Sequence, residues 1–336
     1  MSGEEEIRLQ NRPETADLIV HLAKLLLSQA SEALVGPRDG DMNPDRCLPP
    51  QRLKVLDLCT GSGCIPILLH NLLYPPLSRT LPVTQDPGTE NRLILPPRIL
   101  GVDISGVAIS LAKRNLQTNV TGGSTDASAI LPGGVGFIQG DILDPNSWVR
   151  EASTFFNGDG AGDVGRDEEQ WQWPKVDIVI SNPPYISPRD YIATTARSVR
   201  RWEPKIALVP PSRPFCIHPT TLNQQTAATV SKREMGDDFY PYICYLAHMF
   251  HAKTLLVEVG GDPGQAHRVQ EIFAKMWDGK QNTAIWRDWG RRKRGVVVWR
   301  GPEQKRQWGE QHKGGGETVW DWLLEDVVKG DSGTSG

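Results

Sequence analysis

The stretch Leu53-Lys54-Val55-Leu56-Asp57-Leu58-Cys59-Thr60-Gly61-Ser62-Gly63 decides the fold. Its first six residues are apolar apart from Lys54 and Asp57, which predicts a buried strand. Gly61 and Gly63 predict a turn whose backbone lies close to a ligand, and the apolar run from Cys64 to about Leu73 predicts a helix. A strand, a glycine turn and a helix in this order open the α/β folds that bind ligands beyond the carboxyl ends of their strands. Asp57 falls at that end. The dinucleotide fingerprint G-x-G-x-x-G is incomplete here, so pyrophosphate is the weaker ligand reading.

Working outward, Arg98 to Val102 reads as a second strand ending at Asp103, where a carboxylate can accept hydrogen bonds from a ribose diol. Val135 to Gln139 reads as a third, running into Gly140-Asp141-Ile142, where a carboxylate can meet an adenine amino group. The plainer alternative is that Asp103 and Asp141 cap helices. Val176 to Ser181 is a fourth β-branched run, closed by Asn182-Pro183-Pro184-Tyr185. Two prolines fix φ and remove N–H donors, so this turn presents mainly carbonyl acceptors. Asn182 adds a side-chain carbonyl and Tyr185 a flat aromatic face. Such a rim suits a planar –NH2 group, with two acceptors for its hydrogens and a ring against its plane. The ordered set of acids, glycine loop and Asn-Pro-Pro-Tyr turn describes a pocket for S-adenosylmethionine beside an amino or amide nitrogen.

At these residues the sequence resembles the HemK/PrmC-type glutamine N(5)-methyltransferases of peptide chain release factors, in their bacterial and mitochondrial form. Asp57-Leu58-Cys59-Thr60-Gly61-Ser62-Gly63 is similar to that family's glycine-rich motif, with Cys59 where glycine is usual. Gly101-Val102-Asp103-Ile104-Ser105 resembles its ribose-binding segment, and Ser181-Asn182-Pro183-Pro184-Tyr185-Ile186 its catalytic loop. Asn11-Arg12-Pro13-Glu14-Thr15, Trp202 to Leu208, and Leu256-Val257-Glu258-Val259-Gly260 with Gly264-Gln265 resemble further stretches of the same family, as do Arg287-Asp288-Trp289 and Arg294. The resemblance implies a doubly wound, Rossmann-like α/β methyltransferase with a seven-stranded, mostly parallel sheet and a C-terminal antiparallel strand. It implies methylation of a glutamine side-chain amide in the GGQ-type motif of a release factor, with S-adenosylmethionine as cofactor and no metal. Cofactor binding then falls to Asp57, Cys59, Thr60, Gly61, Ser62, Gly63, Asp103, Ile104, Asp141, Ile142 and Asn182. Catalysis and substrate binding fall to Asn182, Pro183, Pro184 and Tyr185, with Arg12 and Glu14 also on the substrate. The family's helical N-terminal domain is expected to be missing, leaving residues 1–14 as its linker, and Ala16 replaces a frequent glutamate. Localisation is expected to be mitochondrial by this resemblance, without a visible presequence, and otherwise cytoplasmic.

Composition bounds the alternatives. A chain of 336 residues with 38% apolar content can bury a large core, and a net charge of −3 supplies no basic field for nucleic acid. The cluster Arg291-Arg292-Lys293-Arg294 reads as a solvated hairpin tip. Cys47, Cys59, Cys64, Cys216 and Cys244 contain no C-x-x-C pair, which argues against a disulfide framework or a zinc site. No apolar run is long enough to span a membrane, and a monomer is expected. Methyl transfer to adenine in nucleic acid remains the alternative, requiring a flipped base. A methyltransferase fold retained only as a binding module is the third reading.

Between these motifs, Thr15 to about Leu34 predicts a helix packed against the sheet beside the first strand. The helix after Asp103 is expected to turn Val107, Ile109, Leu111 and Leu116 toward the core. Insertions are expected near 74–97, 121–134, 151–172 and 210–235, within a methyltransferase domain spanning 15–300. Lys253 to Val259, Ala284 to Asp288 and Gly295 to Arg300 predict strands, and Pro263 to Trp277 a helix. In the tail 301–336, Val319 to Val327 predicts an amphipathic docking helix.

Overall fold

The computed structural model describes residues 13–34, 52–74, 96–120, 134–157, 173–211, 235–277, 281–300 and 324–325. They divide into two units at Ile180/Ser181. The fold is α/β and Rossmann-like.

The first unit contains α1 (Pro13–Leu34), β1 (Lys54–Leu58), α2 (Cys64–Leu73), β2 (Arg98–Asp103), α3 (Gly106–Val120), β3 (Val135–Gln139) and α4 (Val149–Asn157). It closes with β4 (Ile178–Ser181). β1 pairs parallel with β2, and β2 with β3, in the order β3-β2-β1-β4. Parallel neighbours need crossover connections, and α2 and α3 follow β1 and β2 as those crossovers. Val55, Leu56, Leu58, Ile99, Leu100 and Val102 are buried on both sheet faces, which is why these strands read as nearly continuous apolar runs. The strand expected from Val176 begins at Ile178, because the Asp177 N–H and carboxylate are used on the backbone of Lys54.

Three expectations for this unit change. α1 buries Leu18, Ile19, Leu22 and Ala23, but its main packing partner is α2 rather than the sheet beside β1. In α3, Ile109 and Leu116 are buried and Leu111 half-buried, whereas Val107 is 80% exposed. Two residues are 200° apart around a helix, so Val107 lies nearly opposite Ile109, and Ala112 and Asn115 complete the buried stripe. The insertion expected near 151–172 does not begin at 151. Residues 151–157 continue α4, which buries Val149, Ala152 and Phe156 at a spacing of three and four. The remaining expected insertions lie for the most part outside the described residues.

The second unit contains α5 (Pro188–Ala193), α6 (Arg197–Trp202), α7 (Tyr240–Met249), β5 (Thr254–Glu258), α8 (Gln265–Met276), β6 (Gln281–Arg287), β7 (Lys293–Arg300) and the two-residue β8 (Leu324–Glu325). Its strands run in the order β5-β7-β6-β8, with β5/β7, β6/β7 and β6/β8 all antiparallel. Val296, Val297, Val298 and Trp299 of β7 are buried, while Lys293, Arg294 and Arg300 at its ends are half-buried. β8 pairs with Ile285 and Trp286 of β6; its two residues fall within the docking helix expected at 319–327, the rest of which lies outside the described residues. The open edge of β6 offers unpaired backbone groups, and an extended segment satisfies them as a helix cannot. The basic cluster at 291–294 is also more than a solvated tip. The buried Asp288 carboxylate accepts the Arg292 N–H at 2.9 Å and Arg292 Nε at 2.8 Å, with Arg294 Nε at 3.4 Å.

Candidate active site

In the first unit, β1 delivers Asp57 to the start of the glycine turn with 0% exposure. Among the described residues neither carboxylate oxygen accepts a well-formed hydrogen bond, and the Thr60 hydroxyl is likewise unsatisfied. Burial pushes the Asp57 carboxyl up to about 8; the Thr60 hydroxyl draws it partly back, and the charge of Asp103 pushes it further. A buried carboxyl without a partner is costly, and a cationic ligand relieves that cost.

The turn itself is built by backbone geometry. Cys59, Gly61 and Gly63 have φ of 60°, 56° and 79°. The Thr60 N–H donates to the Val102 carbonyl at 3.0 Å, and the Gly61 N–H donates to Asp103 Oδ2 at 2.9 Å. A Cβ on Gly63 would stand 2.7 Å from the Phe137 ring and 2.9 Å from Ala112 Cβ, so side chains from β3 and α3 fix the turn from below. Asn115 Nδ2 donates to the Ser62 carbonyl at 2.9 Å.

Asp103 and Asp141 are not helix caps. Asp103 Oδ1 accepts the Ser105 N–H at 2.8 Å, while Ser105 Oγ accepts from the Ala108 N–H at 3.2 Å and caps α3 itself. Asp103 therefore ties the glycine turn to the end of β2, leaving further lone pairs on both oxygens for a ligand. Asp141 Oδ1 accepts the Leu143 N–H at 2.9 Å, and its carbonyl accepts the Trp148 indole N–H at 3.0 Å. Ile104 is 43% exposed next to Asp103, whereas Ile142 is buried in the core.

In the second unit, Pro183 and Pro184 are buried and Asn182 and Tyr185 half-buried. The Tyr185 hydroxyl donates to Glu258 Oε1 at 3.3 Å, and its carbonyl accepts from Gln265 Nε2 at 3.1 Å. A Cβ on Gly260 would stand 2.9 Å from the Tyr185 ring, and one on Gly236 would stand 2.3 Å from the Tyr185 carbonyl oxygen. The Ile186 N–H donates to the Leu208 carbonyl at 2.8 Å, which is where the Glu203 to Leu208 stretch earns its place. Ser187 Oγ then accepts the Asp190 N–H at 3.0 Å and caps α5.

Asp57, Cys59, Thr60, Gly61, Ser62, Gly63, Asp103 and Ile104 therefore share one loop cluster of the first unit. Asp141 and Ile142 follow β3 of that unit, and Asn182 to Tyr185 belong to the second unit. Glu14 lies in the first turn of α1, and Arg12 lies outside the described residues. The motifs gave no role to Asp237, Tyr240 or Arg268 and left Glu258 and Gln265 as matching letters only. Glu258 and Gln265 hold Tyr185, Asp237 holds Gln265 and is itself held by Arg268, and the Tyr240 hydroxyl donates to the Glu258 carbonyl at 3.1 Å. The pattern Glu-x-Gly followed by Gly-Gln was the available signal. Among the described residues no cluster of His, Cys, Asp or Glu is arranged to hold a metal ion. No described helix is long and apolar enough to cross a membrane.

No family model matches the chain. It is 32% identical over 158 residues to the probable MRF1 mitochondrial N(5)-glutamine methyltransferase mtq1 of Schizosaccharomyces pombe, covering 47% of this chain and 36% of that protein. It is 26% identical over 201 residues to the release factor glutamine methyltransferase of Chlorobaculum tepidum, covering 60% of this chain and 45% of that protein. The chain thus matches less than half the length of either relative. Both names agree with the resemblance read from the motifs. A solved methyltransferase from Agrobacterium tumefaciens, described as SAM-dependent, overlaps with a TM-score of 0.39 at 13% identity, covering 84% of this chain and 62% of that one. That overlap is too small to carry a structural inference.

Proposed function

We propose that the chain is an S-adenosylmethionine-dependent methyltransferase acting on the side-chain amide nitrogen of a glutamine in a peptide chain release factor. The observation that carries this reading is the Asn182-Pro183-Pro184-Tyr185 turn, rigid and rich in acceptors, in a chain whose glycine turn also holds the Asp57 carboxyl, buried without a well-formed hydrogen bond among the described residues. The residues present fit the cofactor. Asp57 suits the ammonium of its methionine part, Asp103 the ribose diol, and Asp141 with the exposed Ile104 the adenine. When bound, S-adenosylmethionine supplies an electrophilic methyl on a sulfonium.

A glutamine amide nitrogen is a poor nucleophile, because its lone pair is delocalised into the carbonyl. The chain's own residues must therefore supply orientation more than basicity. Asn182 Oδ1 and the Pro183 carbonyl accept the two amide hydrogens, and the Tyr185 ring lies on the amide plane. Holding reacting groups in a near-attack arrangement contributes about 7–11 kcal/mol in favourable cases. As the nitrogen gains positive charge the same oxygens stabilise it, and the proton leaves afterwards to solvent.

Incubating the full chain with S-adenosylmethionine and a release factor, followed by peptide mass spectrometry, tests this reading. The expected result is one methyl on the glutamine amide. Asn182→Ala is expected to lower turnover by about 10³-fold or more while cofactor affinity by calorimetry stays within a few-fold. Methyl transfer to nucleic acid instead, or an Asn182→Ala variant with retained turnover, overturns it. The mitochondrial assignment rests on the motif resemblance and on the name of the fission-yeast relative, and imaging of the tagged full-length gene product tests it. A monomer is proposed as the working state.

A further inference from the structure

Gln265 opens α8 yet is only 1% exposed. A buried primary amide has two N–H donors and a carbonyl acceptor, and each needs a partner. In Gln265 all three are met, and by three different segments. Nε2 donates to the Tyr185 carbonyl at 3.1 Å and to Asp237 Oδ1 at 2.9 Å, while Oε1 accepts the Gly260 N–H at 2.6 Å. Asp237 is itself gripped by Arg268, whose Nε stands 2.5 Å from Asp237 Oδ2 and whose second nitrogen also reaches Asp262 at 2.8 Å. The paired carboxylates in turn hold the Arg268 guanidinium firmly charged. Pro183 and Pro184 have no N–H with which to tie their own loop down. The placement of that loop must come from groups that reach it from outside.

We propose that Gln265 is a positioning residue for the acceptor loop. Its amide fixes the Tyr185 carbonyl against the Asp237–Arg268 pair, and so sets the tilt of the Tyr185 ring and the direction of the acceptor oxygens that precede it. This inference rests on the amide-methylation reading for its kinetic consequence but not for its structural one.

Gln265→Glu keeps the shape and the Gly260 contact but turns a donor into an acceptor that faces both the Tyr185 carbonyl and Asp237. Asp237 lies against the new carboxyl and is paired with Arg268, while Glu258, Tyr185 and Tyr240 belong to the same hydrogen-bonded cluster. Burial and the acidic neighbours raise its pKa, so acidification returns one O–H donor. Expected at about pH 8 is a kcat reduced about 100-fold, the loss associated with a misplacement of about 1 Å. KM for the release factor and cofactor affinity are expected to stay within about three-fold. On lowering the pH to about 5.5 the variant's kcat recovers at least about tenfold while wild-type kcat does not rise. Gln265→Asn retains the donors but withdraws them by one methylene, and is expected to lose kcat without any recovery in acid. The amide of Ile186 belongs to the same peptide unit as the Tyr185 carbonyl, so its NMR shift in isoleucine-labelled protein reads the Gln265 bond whether or not methyl is transferred. That shift is expected to move with pH in Gln265→Glu and to hold still in wild type. An unmoved Ile186 resonance, a wild-type kcat in either variant, or a kcat that tracks only the folded fraction overturns the proposal. If wild type methylates no release factor but Ile186 responds as described, the functional reading falls and the positioning role stands.

Discussion

The two units handle buried polar groups in opposite ways. In the first, Asp57 is sequestered with no well-formed hydrogen bond to its carboxyl among the described residues, and the turn beside it holds left-handed positions at every second residue, Cys59, Gly61 and Gly63. In the second, the groups behind Tyr185 are saturated: Gln265 uses every donor and acceptor, and Asp237 is doubly held by Arg268. A site that leaves a buried acid unpaired is costly when empty and gains from a ligand that completes it. A site whose polar groups are all used is fixed beforehand and loses little on binding. The contrast fits a half that must capture a charged small molecule and a half that must hold a flat neutral group still.

The largest effect that separates these two behaviours is expected at Asp57. With its carboxyl raised to about 8 against about 4 in the unfolded chain, the folded state carries the extra proton between those values. Stability therefore falls as pH rises from about 4 to about 8, and changes no further from this group above that. Asp57→Asn removes this slope, which urea unfolding at several pH values measures. In the same variant S-adenosylmethionine affinity is expected to drop about 100-fold, because the partner of a buried cation is gone. Calorimetry of wild type in buffers of different ionisation heat is expected to show a proton released on binding below about pH 8. Unchanged affinity in Asp57→Asn would mean that the first unit is not built around a cation, and the contrast would dissolve.

The glycines sharpen the comparison at a smaller scale. Gly236 has φ of 78°, and a Cβ there would approach the Tyr185 carbonyl oxygen to 2.3 Å, an atom already pinned by Gln265. Gly63 has a similar φ, but its Cβ would meet the Phe137 ring and the Ala112 methyl, which are side chains. Gly236→Ala is therefore expected to cost about 3–4 kcal/mol and Gly63→Ala about 2–3 kcal/mol in denaturant unfolding, from overpacking added to left-handed strain. A larger loss at Gly63 would place the more rigid scaffold in the first unit rather than the second.

What could be read from the chain follows the same division. β1, β2 and β3 were legible because strands buried on both faces leave continuous apolar runs bounded by glycine or acid, and the glycine turn has few other conformations. The Asn-Pro-Pro-Tyr turn was legible because proline restricts its own backbone. The groups that hold Tyr185 were not. Gln265, Asp237 and Arg268 are ordinary surface-type residues in a sequence, and their importance comes from three segments converging, which no local period records. Of the docking helix expected at 319–327 only Leu324 and Glu325 are described, and they pair with β6 as a strand, because apolar spacing cannot announce a strand edge. Val107 failed through phase, because it lies in the first turn of α3 about 200° from Ile109, off the stripe that Ile109, Ala112 and Leu116 bury. The basic run at 291–294 does lie at the β6–β7 hairpin tip with Arg291 and Arg292 exposed, but its pairing with Asp288 was not legible because that acid lies just before the cluster and inside the core.

The smallest expected effect concerns Cys59, which stands in this glycine turn where the family that the motifs resemble usually has glycine. Cys59 sits at φ of 60°, a left-handed conformation that costs an L-residue with a Cβ about 1–2 kcal/mol and costs glycine almost nothing. Against this, glycine loses more backbone entropy on folding, by about 0.5–1 kcal/mol. The two terms oppose, so Cys59→Gly is expected to stabilise the free protein by only about 0.5 kcal/mol, seen as a small rise in unfolding midpoint without a change in slope. Its bearing on the comparison is larger than its size. Strain held at Cys59 belongs to the half that is unsatisfied when empty, and relieving it should leave the affinity gap of Asp57→Asn untouched. A Cys59→Gly variant that is less stable than wild type would show that the Cys59 side chain makes contacts worth more than the strain, and that the turn is less purely a backbone device than its three positive φ values imply.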